Sequence, residues 1–92
     1  MKEPLSAPGV KKLLRQMLAC GEVRFTSHAL EEMKKDGITT QDVAAVLRSG
    51  VVEPGEQVKG TWRYRIRSSS SYVVVAFRSE TVTVVVTAWR TK

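Results

Sequence analysis

The chain has 92 residues, a formal net charge of +6 and a sequence pI near 9.9. This length supports one domain with a single modest core, so residues 1–92 are treated as one domain, with residues 1–7 expected to be flexible. A lone cysteine, Cys20, excludes an internal disulfide and a cysteine-based metal site. No apolar run reaches the length of a membrane-spanning helix, and we expect a cytoplasmic protein that needs no membrane and no cofactor.

The basic excess is concentrated in the second half of the chain. Residues 1–50 carry eight basic and six acidic side chains, whereas residues 51–92 carry seven basic and three acidic ones. A basic balance favours a polyanionic partner. The sequence therefore predicts that RNA, DNA or an acidic protein contacts the C-terminal half.

Three segments of the first half have the apolar periodicity of amphipathic helices. Thr26 or Ser27 is expected to cap the second helix. Thr39 and Asp42 have the spacing of a capping box at the start of the third. The predicted helices run from Pro8 to Gly21, from His28 to about Asp36, and from Thr39 to Gly50.

The second half changes to the period of two that is typical of strands. Val51–Val58 is broken by Pro54 and is predicted to be an edge strand, and Val23–Thr26 is either an edge strand or an extended link. The remaining predicted strands form a meander of Thr61–Arg67, Tyr72–Arg78 and Thr81–Arg90. We therefore predict an α+β fold with the N-terminal helices packed on one face of a four-stranded, mainly antiparallel sheet.

The strand Thr61–Arg67 alternates strictly between two kinds of side chain. Apolar residues fall on one side and arginines on the other: Trp62, Tyr64 and Ile66 against Arg63, Arg65 and Arg67. Side chains on one face of a strand are roughly 7 Å apart, which is close to the spacing of consecutive phosphates in a nucleic acid. The arginines are either a solvated outer face or a surface for a phosphate backbone.

His28, the only histidine, falls in the first turn of the second predicted helix. A helix N-terminus disfavours a nearby imidazolium, and a neutral imidazole can act as a general base. The alternative is a histidine that only caps or packs.

Without a metal, RNA is cleaved when its 2′-hydroxyl attacks the adjacent phosphate, and cations stabilise the developing charge. Hydroxyls such as Thr83, Thr87 or Tyr64 could assist, and Trp89 could stack an unpaired base or pack at the rim of the core.

Residues 23–91 resemble a family of small bacterial proteins described mainly as a domain of unknown function. That family is grouped with the RelE-like and MqsR-like toxins, within the barnase–EndoU–colicin–RelE class of metal-independent ribonucleases. The run around His28 is the most specific part of the resemblance. The segments that carry it are Phe25–Met33, Gly37–Thr39, Asp42–Val43, Val46–Leu47, Gly50, Arg63–Tyr64 and Val86–Arg90.

The resemblance implies a RelE/MqsR-like fold and the toxin of a type II toxin–antitoxin system, an endoribonuclease that acts through 2′-hydroxyl attack. It places His28, Arg63 and Thr87 at the family's active-site positions, with Tyr64 a further candidate. His28 would act as general base or acid, Arg63 would stabilise the phosphorane charge, and Thr87 would orient the phosphate. The implied partners are RNA and a helix-turn-helix antitoxin of the MqsA type, and cleavage on a ribosome stays open.

The predicted RNA-binding residues are Arg65, Arg67, Arg78, Trp89 and Arg90. Three positions depart from the resembling family: many members have Arg at the position of Glu32, a basic residue at Asp36 and Tyr at Trp89. These changes remove positive charge beside His28 and one candidate acid.

Two alternatives to the enzyme are a non-catalytic module that binds RNA or protein through the same face, and a chain whose Val-rich strands or first helix mainly form an oligomer.

Overall fold

The computed structural model describes residues 2–91 of the chain. Three helices and six strands form within this range. In chain order they are α1 (Ala7–Cys20), β1 (Glu22–Phe25), α2 (Ser27–Asp36), α3 (Thr40–Ser49), β2 (Val51–Val52), β3 (Glu56–Val58), β4 (Thr61–Arg67), β5 (Ser71–Phe77) and β6 (Val82–Arg90). None of the helices in residues 2–91 has both the length and the apolar character needed to cross a bilayer.

Each helix is preceded by an N-cap residue whose hydroxyl accepts a hydrogen bond from a backbone N–H of the first turn. These residues are Ser6, Thr26 and Thr39. The Asp42 carboxylate accepts in turn from the Thr39 N–H at 2.9 Å, so the predicted capping box is confirmed. After α2, Gly37 adopts the left-handed conformation with φ of 66°, which glycine enters at little steric cost and which ends the helix.

The sheet has the strand order β1-β6-β5-β4-β2, and β3 also pairs with β4. Neighbouring strands are antiparallel except β1 and β6, which run parallel. The predicted α+β class is confirmed, but the four-stranded sheet is wrong, because the sheet formed by residues 2–91 is six-stranded and mixed. Pro54 divides the predicted edge strand Val51–Val58 into β2 and β3. Of the two alternatives for Val23–Thr26, the edge strand forms, as β1, which pairs with β6.

The three helices cover one face of the sheet, which we call the inner face. Apolar residues of all three helices pack there against alternate residues of β4, β5 and β6. In β4, Tyr64 and Ile66 are completely buried on the inner face, while Arg65 and Arg67 are exposed on the opposite, outer face. The predicted division of this strand into an apolar and a basic face is therefore confirmed.

The N-terminal segment contacts the core through Tyr64. The Tyr64 hydroxyl accepts a hydrogen bond from the Leu5 N–H at 3.0 Å and donates one to the Glu3 carboxylate at 2.8 Å. Glu3 and Leu5 belong to the segment 1–7 that the sequence predicts to be flexible, and both contact this core residue; Met1 lies outside the described residues. Leu5 is partly buried and extends the core.

Candidate nucleic-acid interface

The outer face of the sheet brings basic and aromatic side chains from three strands into two adjacent rows. Strand pairing aligns Arg65 with Thr87 across β5, and Arg67 with Tyr72 and Trp89. Residues in register on neighbouring strands are close enough for their side chains to interact. The outer face therefore combines guanidinium, hydroxyl and aromatic groups within a small area.

Two open clefts lie on the outer face, and Arg63 lines both. The first, which we call the tryptophan cleft, has a volume of about 340 Å³ and also contains Arg65, Thr87 and Trp89. The second, which we call the bulge cleft, has a volume of about 450 Å³ and contains Arg78 beside the N-cap of α2. Because Arg63 lines both clefts, a ligand bound in either one meets its side chain.

The Arg63 side chain is half-buried, and its Nε is buried with no hydrogen-bond partner within residues 2–91. Buried N–H donors in folded proteins are almost always paired with an acceptor, since an unpaired one loses its hydration without compensation. Because this atom is buried, an anionic ligand in either cleft would supply the missing acceptor only after a shift of the Arg63 side chain. Arg63 is therefore the most strongly indicated anion-binding group among the described residues.

Trp89 lines the tryptophan cleft and is stacked on Tyr72, which lies outside the cleft. The Tyr72 and Trp89 rings are stacked, with centroids 5.2 Å apart and an interplanar angle of 21°. The Arg65 guanidinium lies over both rings, 5.5 Å from the Tyr72 centroid and 5.6 Å from the Trp89 centroid. These distances are within the range of cation–π attraction, so the contacts restrain Arg65 above the pair.

Two carboxylates also lie beside Arg63, Arg65 and Arg67, and neither was predicted from the sequence. Glu53 approaches Arg67 Nε at 3.3 Å and Arg65 Nε at 3.9 Å, and Glu56 is the register partner of Arg63. For Glu56 the available signal is the short connection between β3 and β4, which requires antiparallel pairing across a tight turn; no comparable local signal marks Glu53. These glutamates lower the positive potential of the outer face, so its net charge is smaller than its arginines alone suggest.

The first turn of α2 is anchored at an irregularity in β6. Val86 is the extra residue of a bulge, because the register shifts there. The Thr26 N–H donates to the Val85 carbonyl at 3.1 Å, and its hydroxyl donates to the Val86 carbonyl at 3.0 Å. Bulges are frequent beside functional sites because they redirect side chains. Here the bulge places Thr26 in the bulge cleft with Arg63.

His28 lies two residues beyond this anchor, in the first turn of α2. Its side chain is exposed, and within residues 2–91 it has no hydrogen-bond or ion-pair partner. It does not line the tryptophan cleft or the bulge cleft, although Thr26 lines the second. The structure therefore leaves His28 outside both clefts, two residues beyond Thr26, with its side chain exposed.

Besides His28, the predicted site residues Tyr64 and Arg90 lie apart from the clefts. Tyr64 is completely buried on the inner face, and burial raises its pKa above the ordinary value. Arg90 donates from Nε to the Asp36 carbonyl at 2.8 Å and from Nη2 to the Gly37 carbonyl at 3.1 Å. Arg90 therefore supplies hydrogen-bond donors to backbone carbonyls at the C-terminal end of α2, where a positive charge is favourable. The Asp36 carboxylate also accepts a hydrogen bond from the Arg90 N–H at 2.9 Å. Asp36, where many members of the resembling family have a basic residue, therefore has a structural role.

Apart from His28 and from Arg78, which lines only the bulge cleft, the remaining predicted residues are brought together. Arg63, Arg65, Thr87 and Trp89 share the tryptophan cleft. Arg67 adjoins them through its ion pair with Glu53. No cluster of three or more His, Cys, Asp or Glu side chains suited to a metal ion occurs among residues 2–91.

The buried position of Tyr64 leads to a prediction that separates packing from catalysis. Tyr64→Phe removes the hydroxyl and its two hydrogen bonds, and is expected to cost about 1–3 kcal/mol of unfolding free energy. Tyr64→Ala removes the buried ring as well and is expected to cost about 3–5 kcal/mol. Urea unfolding measures both values. Folded Tyr64→Phe protein should keep any activity of the outer face, and a selective loss of activity would assign Tyr64 a chemical role instead.

The sequence family of the chain follows from comparison with known domains. A family model described as "Domain of unknown function (DUF4258)" matches residues 25–90. This is most of the chain, and the protein belongs to that family. No curated protein and no solved structure shows significant similarity to it. The matched region runs from the end of β1 to the end of β6, so it includes the outer face and both of its clefts.

Proposed function

We propose that this protein is a metal-independent endoribonuclease that acts in the cytoplasm as the toxin of a type II toxin–antitoxin system. In this proposal the outer face binds RNA, and cleavage takes place at Arg63. The observation that supports it best is the half-buried Arg63 side chain, which lines both clefts and whose Nε has no partner within residues 2–91. A phosphate oxygen is an acceptor that suits this planar, permanently charged donor.

The proposed reaction is an intramolecular phosphoryl transfer. The 2′-oxygen forms a bond to the adjacent phosphorus, and the bond from phosphorus to the 5′-oxygen of the next nucleotide breaks. A base removes the proton of the 2′-hydroxyl, and a proton is delivered to the departing 5′-oxygen. The products are a 2′,3′-cyclic phosphate and a free 5′-hydroxyl, so atoms and charge balance without a co-reactant.

The residues have separate roles in this reaction. Arg63 stabilises the negative charge that builds on the phosphoryl oxygens, which is the largest contribution that a fixed cation can make. Thr87 lies in the same cleft and orients the phosphate through its hydroxyl. His28 exchanges the proton as general base or acid from the N-terminus of α2. An RNA strand that crosses the bulge cleft would approach both Arg63 and the first turn of α2, where His28 lies.

Product analysis tests the proposal. Purified protein is incubated with mixed single-stranded RNA in the presence of a chelator, and the termini of the fragments are identified. The proposal predicts 2′,3′-cyclic phosphate and 5′-hydroxyl ends, together with growth arrest when the protein is expressed in bacteria. Intact RNA after prolonged incubation, with no arrest of growth, would contradict the enzyme.

Two observations favour a second function, a non-catalytic RNA-binding module. His28 does not line either cleft, and the acidic residues Glu32 and Asp36 occupy α2, where the resembling family carries basic ones. In that case RNA is retained without cleavage. The logarithm of its affinity would fall linearly with the logarithm of salt concentration, by about 0.7 per phosphate contacted on a single strand.

Glu53 gives a prediction that holds for either function. Its carboxylate pairs with Arg65 and Arg67 in the free protein, so a phosphate must compete with it. Glu53→Gln keeps the shape of the side chain and removes its charge. Because exposed ion pairs are worth up to about 1 kcal/mol, RNA affinity is expected to rise roughly 2- to 5-fold. Fluorescence anisotropy measures the change, with Glu31→Gln on the exposed surface of α2 as the control of equal charge.

The proposed partner is a helix-turn-helix antitoxin of the MqsA type, encoded by the adjacent reading frame. Coexpression of that frame should relieve growth arrest, and the two proteins should copurify. If cleavage takes place on the ribosome, purified protein will cleave RNA only when ribosomes are added.

A further inference from the structure

We infer that the tryptophan cleft holds an unpaired base of single-stranded RNA, stacked on Trp89 beside the phosphate bound by Arg63. This inference rests on the proposed function and specifies its substrate class. It adds a base-binding subsite to the phosphate chemistry of Arg63 and Thr87. The sequence suggested only that Trp89 could contact a base; the stack with Tyr72, the position of Arg65 and the shared cleft with Arg63 come from the structure.

The geometry of Trp89 is that of a supported platform. Its ring is half-buried, and Tyr72 is stacked against it with the rings 5.2 Å apart. This support fixes the orientation of the indole, so little side-chain freedom remains to be lost when a ligand binds. Trp89 lines the tryptophan cleft, and a base stacked there would take the place of the Arg65 guanidinium, which lies over the indole in the free protein.

The surroundings of the platform favour a nucleotide over a plain apolar ligand. Arg65 lies 5.6 Å from the Trp89 centroid, and Arg63 and Thr87 line the same cleft. Trp89 and Thr87 are two residues apart on β6, which separates their side chains by roughly 7 Å. That distance suits a base on Trp89 with its own phosphate near Thr87 and Arg63.

A duplex would not fit this subsite. Bases in a helix are stacked on their neighbours, so their faces are unavailable, whereas unpaired bases can be splayed onto aromatic side chains. Stacking accepts every base because each has a π-face. The inferred substrate is therefore single-stranded RNA with little dependence on base identity at this position.

Tryptophan fluorescence gives a direct test. The sequence contains two tryptophans, Trp62 and Trp89, and Trp62→Phe leaves Trp89 as the only emitting indole. Titration with a short 2′-O-methyl RNA strand, which cannot be cleaved, is expected to quench this emission and protect it from acrylamide. Binding of the strand with unchanged emission and accessibility would overturn the stacking.

A pair of substitutions tests the energetics with the native Trp62 in place. Trp89→Phe keeps a π-face and should retain most of the affinity, whereas Trp89→Leu keeps an apolar side chain without one and should weaken binding roughly 5- to 150-fold, the range of base–aromatic stacking. Anisotropy of a labelled 2′-O-methyl strand measures both, after circular dichroism shows that each variant is folded. Equal affinities of Trp89→Phe and Trp89→Leu, or equal binding of the strand and its duplex, would overturn the inference.

These outcomes are distinguishable from failure of the proposed enzyme. If the uncleavable strand stacks on Trp89 but RNA is not cleaved, the base subsite is supported and the nuclease is contradicted. Cleavage of RNA with Trp89 unaffected by the strand would keep the nuclease and remove the subsite.

Discussion

Replacement of Arg63 by alanine is expected to lower RNA cleavage by roughly 10²- to 10³-fold, the usual effect of removing one preorganised donor to a developing negative charge. Arg63 lines both outer-face clefts, and its Nε has no partner within residues 2–91. The loss should therefore come from the reaction and not from folding. Single-turnover cleavage measures the rate, and urea unfolding measures the stability.

Two further variants define what Arg63 contributes. Arg63→Lys keeps the positive charge but loses the planar fork of donors, so cleavage should remain strongly impaired. Arg15→Ala removes the same charge from the exposed surface of α1 and should cleave RNA at nearly the parental rate. If Arg63→Ala and Arg15→Ala behave alike, the outer face has only a general electrostatic role and the catalytic assignment is wrong.

Replacement of His28 by alanine is the second change with a large expected effect, a loss of about 10²- to 10⁴-fold in cleavage, typical of a general acid or base. The side chain is exposed and makes no contact within residues 2–91 that stabilises the fold. The variant should therefore keep its native circular dichroism spectrum and its RNA affinity. Growth arrest on expression should be abolished together with cleavage.

The control for His28 is its neighbour in the chain. Ser27→Ala changes another exposed residue of the first turn of α2 and should leave cleavage intact. Added imidazole should restore part of the activity of His28→Ala, because a free base can enter the space that the side chain vacates. A His28→Ala protein as toxic and as active as the parent would remove histidine from the mechanism.

The parts of the fold that depend on local pattern were predicted from the sequence. The alternation in β4 placed Arg63 and Tyr64 on opposite faces, because successive side chains of a strand point in opposite directions. The hydroxyl of Thr39 and the carboxylate of Asp42 marked the start of α3 through their spacing alone. Both features involve residues that are close in sequence.

The parts that depend on distant pairing were not predicted. β1 pairs with β6, from which it is separated by two helices and four strands, and four residues with a period of two do not reveal such a partner. The bulge at Val86 changes the register within one continuous strand and leaves no signature in a run of valines. It nevertheless fixes the position of Thr26 beside the cleft of Arg63.

The candidate site shows the same division. Arg63, Arg65 and Thr87 were identified from residue type and family resemblance, and the structure places them in one cleft. The resemblance also suggested Tyr64, but adjacency to Arg63 in the chain puts it on the other face, where it contacts the N-terminal segment. Arg90 has the same chemistry as the other arginines, but its guanidinium donates hydrogen bonds to backbone carbonyls at the end of α2.

The central claim is that RNA binds the outer face of the sheet at Arg63, and an NMR titration with an uncleavable 2′-O-methyl strand tests it most directly. The account predicts that the largest shifts of backbone amides occur in residues 63–65 of β4 and 87–89 of β6, while those of α1 on the inner face stay unchanged. Shifts confined to α1 or to the inner surface of the helices, with β4 and β6 unaffected, would contradict it.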